Sequence, residues 1–125
     1  MANLLNQVNI TLMKRLSQHV GLSVRLKAEG ALSEPGLLEH VGKQFIRVRG
    51  QYVVPSSMHQ ISLLGVGIKP DFRGPSMRVR TIADGSFPTK ISCTGEDFIE
   101  AIIEQDDKIE LILIPLNKII SLEGA

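Results

Sequence analysis

Seven cations occupy polar positions of strand-like runs: Arg25, Lys27, Lys43, Arg47, Arg49, Arg78 and Arg80. Alternate residues of a strand project from one face, so cations spaced in this way could converge on phosphates, and each contact would register as salt dependence of binding. Gly50 and Tyr52 closely follow Arg47 and Arg49 and complete the candidate basic face. Stacking groups for bases are scarce, however, with no Trp, one Tyr and four Phe, and a single-strand binder draws much of its affinity from stacking. The same cations could instead meet carboxylates. Glu96, Glu100, Glu104, Asp106, Asp107 and Glu110 form an acidic run whose spacing fits no calcium loop and reads as a solvated or docking face.

Catalytic chemistry finds little support. His19, His40 and His59 have no partner spacing for metal ligation, and no serine sits in a nucleophile elbow. Each histidine is expected at the surface or partly packed. Cys93 has Lys90 as its nearest basic neighbour in sequence, and no visible cause for activation to a thiolate. As a lone cysteine it makes no internal disulfide, and without a cysteine and histidine cluster no zinc site is legible. "GVGIKPDFRG" has Pro70 in the place of the third glycine and no following βαβ unit, so it is not a dinucleotide fingerprint. The expectation is a non-enzyme without catalytic residues, metal or cofactor.

The elements that must position these residues belong to a single ordinary domain, or to two very small ones packed together, within 125 residues. A composition of 43% hydrophobic and 22% charged residues is that of a folded globular chain. No apolar run reaches the ~18 residues of a membrane span, and "MANLLNQVNITLMKRLSQHVG" lacks a signal peptide's layout, so cytoplasmic synthesis is expected. The formal net charge of +1 hides an asymmetry: residues 1–80 carry eleven Lys or Arg against four acids, a net of +7, and residues 81–125 carry a net of −6. Such polarity serves docking of one part on the other, association of subunits, or an anion-binding face.

Residues 3–19 place Leu4, Leu5, Val8, Leu12 and Leu16 at helical spacing, and Gly21 lies where a C-cap glycine is expected; one amphipathic helix is predicted. From Leu22 the period becomes two, and short strands separated by turn residues follow as far as Leu64. "GVGIKPDFRGP", residues 65–75, is the linker candidate, and residues 76–125 restart the pattern. "QYVVPSSMHQISLL" and "LILIPLNKIISLE" share a cadence of apolar strand, proline, short polar stretch and Ile-Ser-Leu. Pro55 and Pro115 lie 60 residues apart, and Ser62 and Leu63 lie 59 from Ser121 and Leu122. A repeat of about 60 residues is the simplest account. "TGEDFIEAIIEQDD", residues 94–107, fits a helix capped by Thr94 or a strand; matched through the repeat to "GLLEHVG", it is read as strand.

A helix followed by "HVGLSVRLKAEG", "PGLLEHVGKQFIRVRG" and "QYVVPSSMHQISLL" resembles an Sm-like (LSm) small β-barrel, and the second half looks like a divergent copy. The nearest flavour is that of Sm-like proteins of spore-forming bacteria. The resemblance implies a mainly β fold: an N-terminal helix and first barrel in residues 1–64, a linker at 65–75, and a second barrel in 76–125. It also implies a homo-oligomer, such as a ring, layer or filament, built through strand edges, and incorporation into a spore or other assembly. Physics points the same way, because a 60-residue barrel buries little surface and an unpaired edge invites another strand. Arg49-Gly50 after "FIRV" resembles the family's Arg-Gly RNA loop, with Phe45 or Tyr52 as stacking group. "VGKQF" stands where the family's Asp and Asn pair would be, and the second copy has Asp106-Asp107-Lys108. Two functions follow as expectations: self-assembly through strand edges and opposite charges, and, as the alternative, a ring that binds RNA.

Overall fold

A computed structural model describes residues 6–28, 31–68, 72, 74–105 and 107–124. They form a mainly β structure in which antiparallel strands are hydrogen-bonded in the order β11-β7-β8-β9-β10-β6-β1-β3-β4-β5, with β2 beside β1. The first run comprises β1 (Ser23–Ala28), β2 (Ala31–Leu32), β3 (Gly36–Val41), β4 (Ile46–Val48), β5 (Gln51–Val53) and β6 (Gln60–Leu63). β2 and β3 both pair with β1, so they act as two pieces of one interrupted strand. The second run comprises β7 (Ser76–Thr81), β8 (Gly85–Thr94), β9 (Phe98–Gln105), β10 (Lys108–Pro115) and β11 (Ile119–Gly124). Of the expected linker, residues 69–71 and 73 lie outside the described residues. No described helix is long and apolar enough to cross a membrane.

The two runs repeat one connectivity. In each, the fourth strand leads through a single 3-10 turn, Pro55–Ser57 or Leu116–Lys118, into a last strand. That strand pairs back onto the first of its run, β6 on β1 and β11 on β7. Val24 faces Leu63 and Arg25 faces Ser62, just as Val79 faces Leu122 and Arg80 faces Ser121. The prolines do not match, because Pro55 opens its turn whereas Pro115 precedes one. Equivalent positions at the turns therefore lie 61 residues apart, one more than the proline spacing suggests. Residues 98–105 are strand, as the repeat favours, but they hold the third place of their run and correspond to β4 rather than to "GLLEHVG", which is β3.

The runs are joined by β10, which pairs with β9 on one side and with β6 of the first run on the other. Leu111 and Leu113 enter a core with Val24, Leu26, Leu38, Ile46, Ile61 and Leu63, whereas Ile112 and Ile114 enter a second core with Val79, Ile91 and Ile99. Side chains alternate across a strand, so a strand wedged between two cores must be apolar on both faces. "LILIP" meets that demand with five buried residues in succession.

The helix is shorter than the periodicity predicts. Among the described residues only Leu12–Ser17 is α-helical, and Asn6–Ile10 run extended beside the second half. Thr94 donates its N–H to Asn6 O, Val8 donates to Thr94 O, and Glu96 donates to Ile10 O. These bonds hold the backbone of residues 6–10 out of the helix. The Thr11 side chain then caps the start, and the Asp97 carboxylate accepts the Leu12 N–H at 2.6 Å, two of the orphan donors that every helix start leaves. Leu12 and Leu16 close one side of the first core. The expected helical residues Leu4 and Leu5 lie outside the described residues.

If β10 is the shared wall, Leu113→Ala is expected to cost about 2–5 kcal/mol, the range for a deleted core leucine. Urea unfolding would show this as a lowered midpoint with the slope retained.

Candidate assembly surface

The opposite charges of the two halves meet inside the chain. On β1, Arg25 lies 3.7 Å from Glu110 of β10, and Lys27 lies 2.8 Å from Asp84 in the β7–β8 turn. These four residues, with Gln60, Ser62 and Glu104, help to line an open cleft of about 480 Å³ between the runs. Arg15 of the helix reaches Glu100 of β9 at 2.5 Å. Of the four ion pairs among the described residues, only Arg47 with Glu39 stays within one half. Partly exposed pairs such as Arg25 with Glu110 contribute little to stability; their effect is to match the two halves.

Glu100 departs from the expected exposed acidic face. It is buried, accepting from Arg15 Nε and from Ser92 Oγ at 2.9 Å. Its register opposite Leu113 turns it toward the first core, where a carboxylate is tolerable only when paired and hydrogen-bonded. Glu96, Glu104 and Asp107 are exposed, Glu110 is half-buried, and Asp106 lies outside the described residues.

The candidate basic residues fall at three separate places in the strand order. Arg25 and Lys27 are on β1 and already paired; Arg78 and Arg80 are exposed on β7, where Arg78 donates to Ser86 Oγ. Lys43, Arg47, Arg49, Gly50 and Tyr52 lie at the β3–β5 end. Arg49 and Gly50 have φ of 53° and 76° and connect the paired Val48 and Gln51. Two positive φ values in a two-residue loop define a type I′ hairpin turn, which explains the glycine. The Arg49 stem lies over Gly36, where an added Cβ would come within 2.4 Å of Arg49 Cγ. Glu39 accepts the Gly50 N–H at 2.9 Å and lies 3.7 Å from Arg47, whose guanidinium is 5.9 Å from the centre of the Tyr52 ring. Arg49-Gly50 thus has a turn-forming and packing role that sequence alone did not disclose.

His19, expected at the surface or partly packed, is buried with Nε2 3.0 Å from Ser23 O. His40 is exposed, His59 is half-buried, and no group of three metal-ligating side chains occurs among the described residues. Burial, aided by the neighbouring Glu100 carboxylate and opposed by Arg15, raises the Cys93 thiol from 9.0 to about 11.

What distinguishes the β4–β5 end is apolar exposure at the sheet margin. Phe45 and Tyr52 stand 46% and 65% exposed, and β5 has no second strand neighbour among the described residues. At the opposite margin β11 is likewise paired on one side only, with Ile120 and the nearby Ile82 exposed. Comparison with protein-family models, curated proteins and solved structures finds no match.

Arg15→Met is expected to destabilise the fold by about 3 kcal/mol by leaving Glu100 buried and unpaired, and adding Glu100→Met should restore most of that loss; thermal melts of the two variants compare the outcomes. Cys93 holds its proton in the folded chain while an unfolded thiol ionises near 9, so stability is full below pH 9 and declines as pH rises through 9 toward 11. At pH 9 iodoacetamide should modify folded Cys93 at least ~10-fold more slowly than the urea-unfolded chain.

Proposed function

We propose that this chain is a non-enzymatic structural protein that self-associates through its strand edges, built from two tandem Sm-like units. The observation that carries the reading is the β6·β10 junction: the last strand of one run pairs with the fourth strand of the next, and the remaining fourth and last strands, β5 and β11, are left at the two margins. An uncovered edge presents a row of free N–H and C=O groups, and native chains either shield such an edge or use it. β5 carries Tyr52 and β11 carries Ile120, both more than half exposed. Membership of a ring, layer or filament, in a spore or another assembly, belongs to this proposal through the resemblance. The ion pairs that join the halves are satisfied within the chain, so edge and apolar contacts, rather than opposite charges, carry the association.

Light scattering across concentration at low and high salt tests this directly. The expected result is a mass well above the 13.7 kDa of one chain that persists at high salt, with no excess absorbance at 260 nm. A monomer at high concentration would overturn the proposal, and a species held together by salt-labile nucleic acid would replace it with RNA binding.

A further inference from the structure

The internal junction identifies the surfaces that two copies use. In the second run Ile99 pairs with Ile114 and Glu100 with Leu113; in the first, Ile46 pairs with Val53 and Arg47 with Tyr52. Ile46 and Ile99 each lie fully buried in the core of their own run, which fixes the equivalence. Tyr52 stands where Leu113 stands, and Phe45, preceding Ile46, stands where Phe98 precedes Ile99. Phe98 and Leu113 are both 0% exposed because they leave their own run and enter the first core. Phe45 and Tyr52 occupy the same outer face and remain 46% and 65% exposed, with the Arg47 guanidinium 5.9 Å from the centre of the Tyr52 ring.

The receiving side shows the matching deficit. Ile61 and Leu63 of β6 are buried beneath Phe98, Leu111 and Leu113 in the first core. Their counterparts Ile119 and Leu122 of β11, paired with Thr81 and Val79, are only partly buried at the border of the second core. That core contains no residue from outside residues 76–125 among the described residues, whereas the first buries Phe98, Leu111 and Leu113 of the second run, besides Leu12 and Leu16 of the helix. Ser121, on the same strand, has a buried hydroxyl without a partner.

We infer that the β4–β5 face of one copy docks on β11 of a second copy, with β5 adding antiparallel to β11 and Phe45 and Tyr52 covering Ile119 and Leu122. This rests on the self-association reading and specifies its interface. Transferring the internal register, in which Ile112 faces Ser62 and Leu113 faces Ile61, places Gln51 opposite Ser121 and Tyr52 opposite Ile119. The contact joins different surfaces of the two copies, so each added chain presents both ends again, and the product is a closed ring or an open filament.

Two experiments test the interface. Phe45→Asp/Tyr52→Asp changes only exposed side chains and should keep the wild-type circular dichroism while running as a 13.7 kDa monomer; added to wild type it should act as a chain terminator and lower the assembly mass. In a Cys93→Ser background, Gln51→Cys and Ser121→Cys chains should form a mixed disulfide-linked dimer when combined under mild oxidation, with little linkage when either is oxidised alone. A folded double-Asp variant that assembles like wild type, without the mixed disulfide, would overturn this interface while leaving self-association standing. A monomeric wild type would remove the self-association reading as well.

Discussion

The structure depends on the placement of one strand between two cores. β10 must satisfy hydrogen bonds on both edges and burial on both faces, because β9 and β6 flank it while a different core lies on either side. The composition of "LILIP" follows from that position, and so does the intimacy of the two runs. The first core is completed by Leu12 and Leu16 of the helix and by three residues from beyond position 97. A run of this size on its own would bury too small a fraction of its surface to be comfortable, and the shared strand eases that difficulty for the first run by making β10 a wall of its core as well as of the second.

Charge follows the same plan. The opposed net charges of the halves are brought to bear across the junction, by Arg25 with Glu110, Lys27 with Asp84 and Arg15 with Glu100. The first two flank an open cleft where water screens them; the third is largely withdrawn from solvent and is reinforced by Ser92. Their common consequence is geometric, since they hold the two runs in one relation while hydrogen bonds and apolar burial supply most of the attachment. Asp97 adds to this by capping a helix that precedes it by 85 residues.

Repetition of one connectivity leaves a remainder. Each run has a fourth strand and a last strand available for pairing with another run, and a two-run chain can use only one of each internally. The apolar side chains that the internal junction buries therefore have exposed counterparts at the margins, Phe45 and Tyr52 for Phe98 and Leu113. A self-associating reading draws its support from this unfinished symmetry.

The sequence by itself determined the mainly β class, the strands of the first run from period-two alternation, and the duplicated strand–turn–strand cadence, because these are local patterns of side-chain polarity and turn chemistry. It also located β9 correctly while pointing to the wrong counterpart: the turns lie 61 residues apart, but β4 and β5 are three residues each where β9 and β10 are eight, so a fixed offset read from the prolines carries β9 past β4 onto β3. Only the tertiary structure decided where the helix begins, because strand-like bonds to residues 94 and 96 compete with a helical pattern that favours residues 6–10 as well. It alone decided that Glu100 is buried and Glu104 is not, although both belong to one acidic run. The difference comes from the partner strand and helix, and no spacing within residues 94–110 encodes which core a given face will meet.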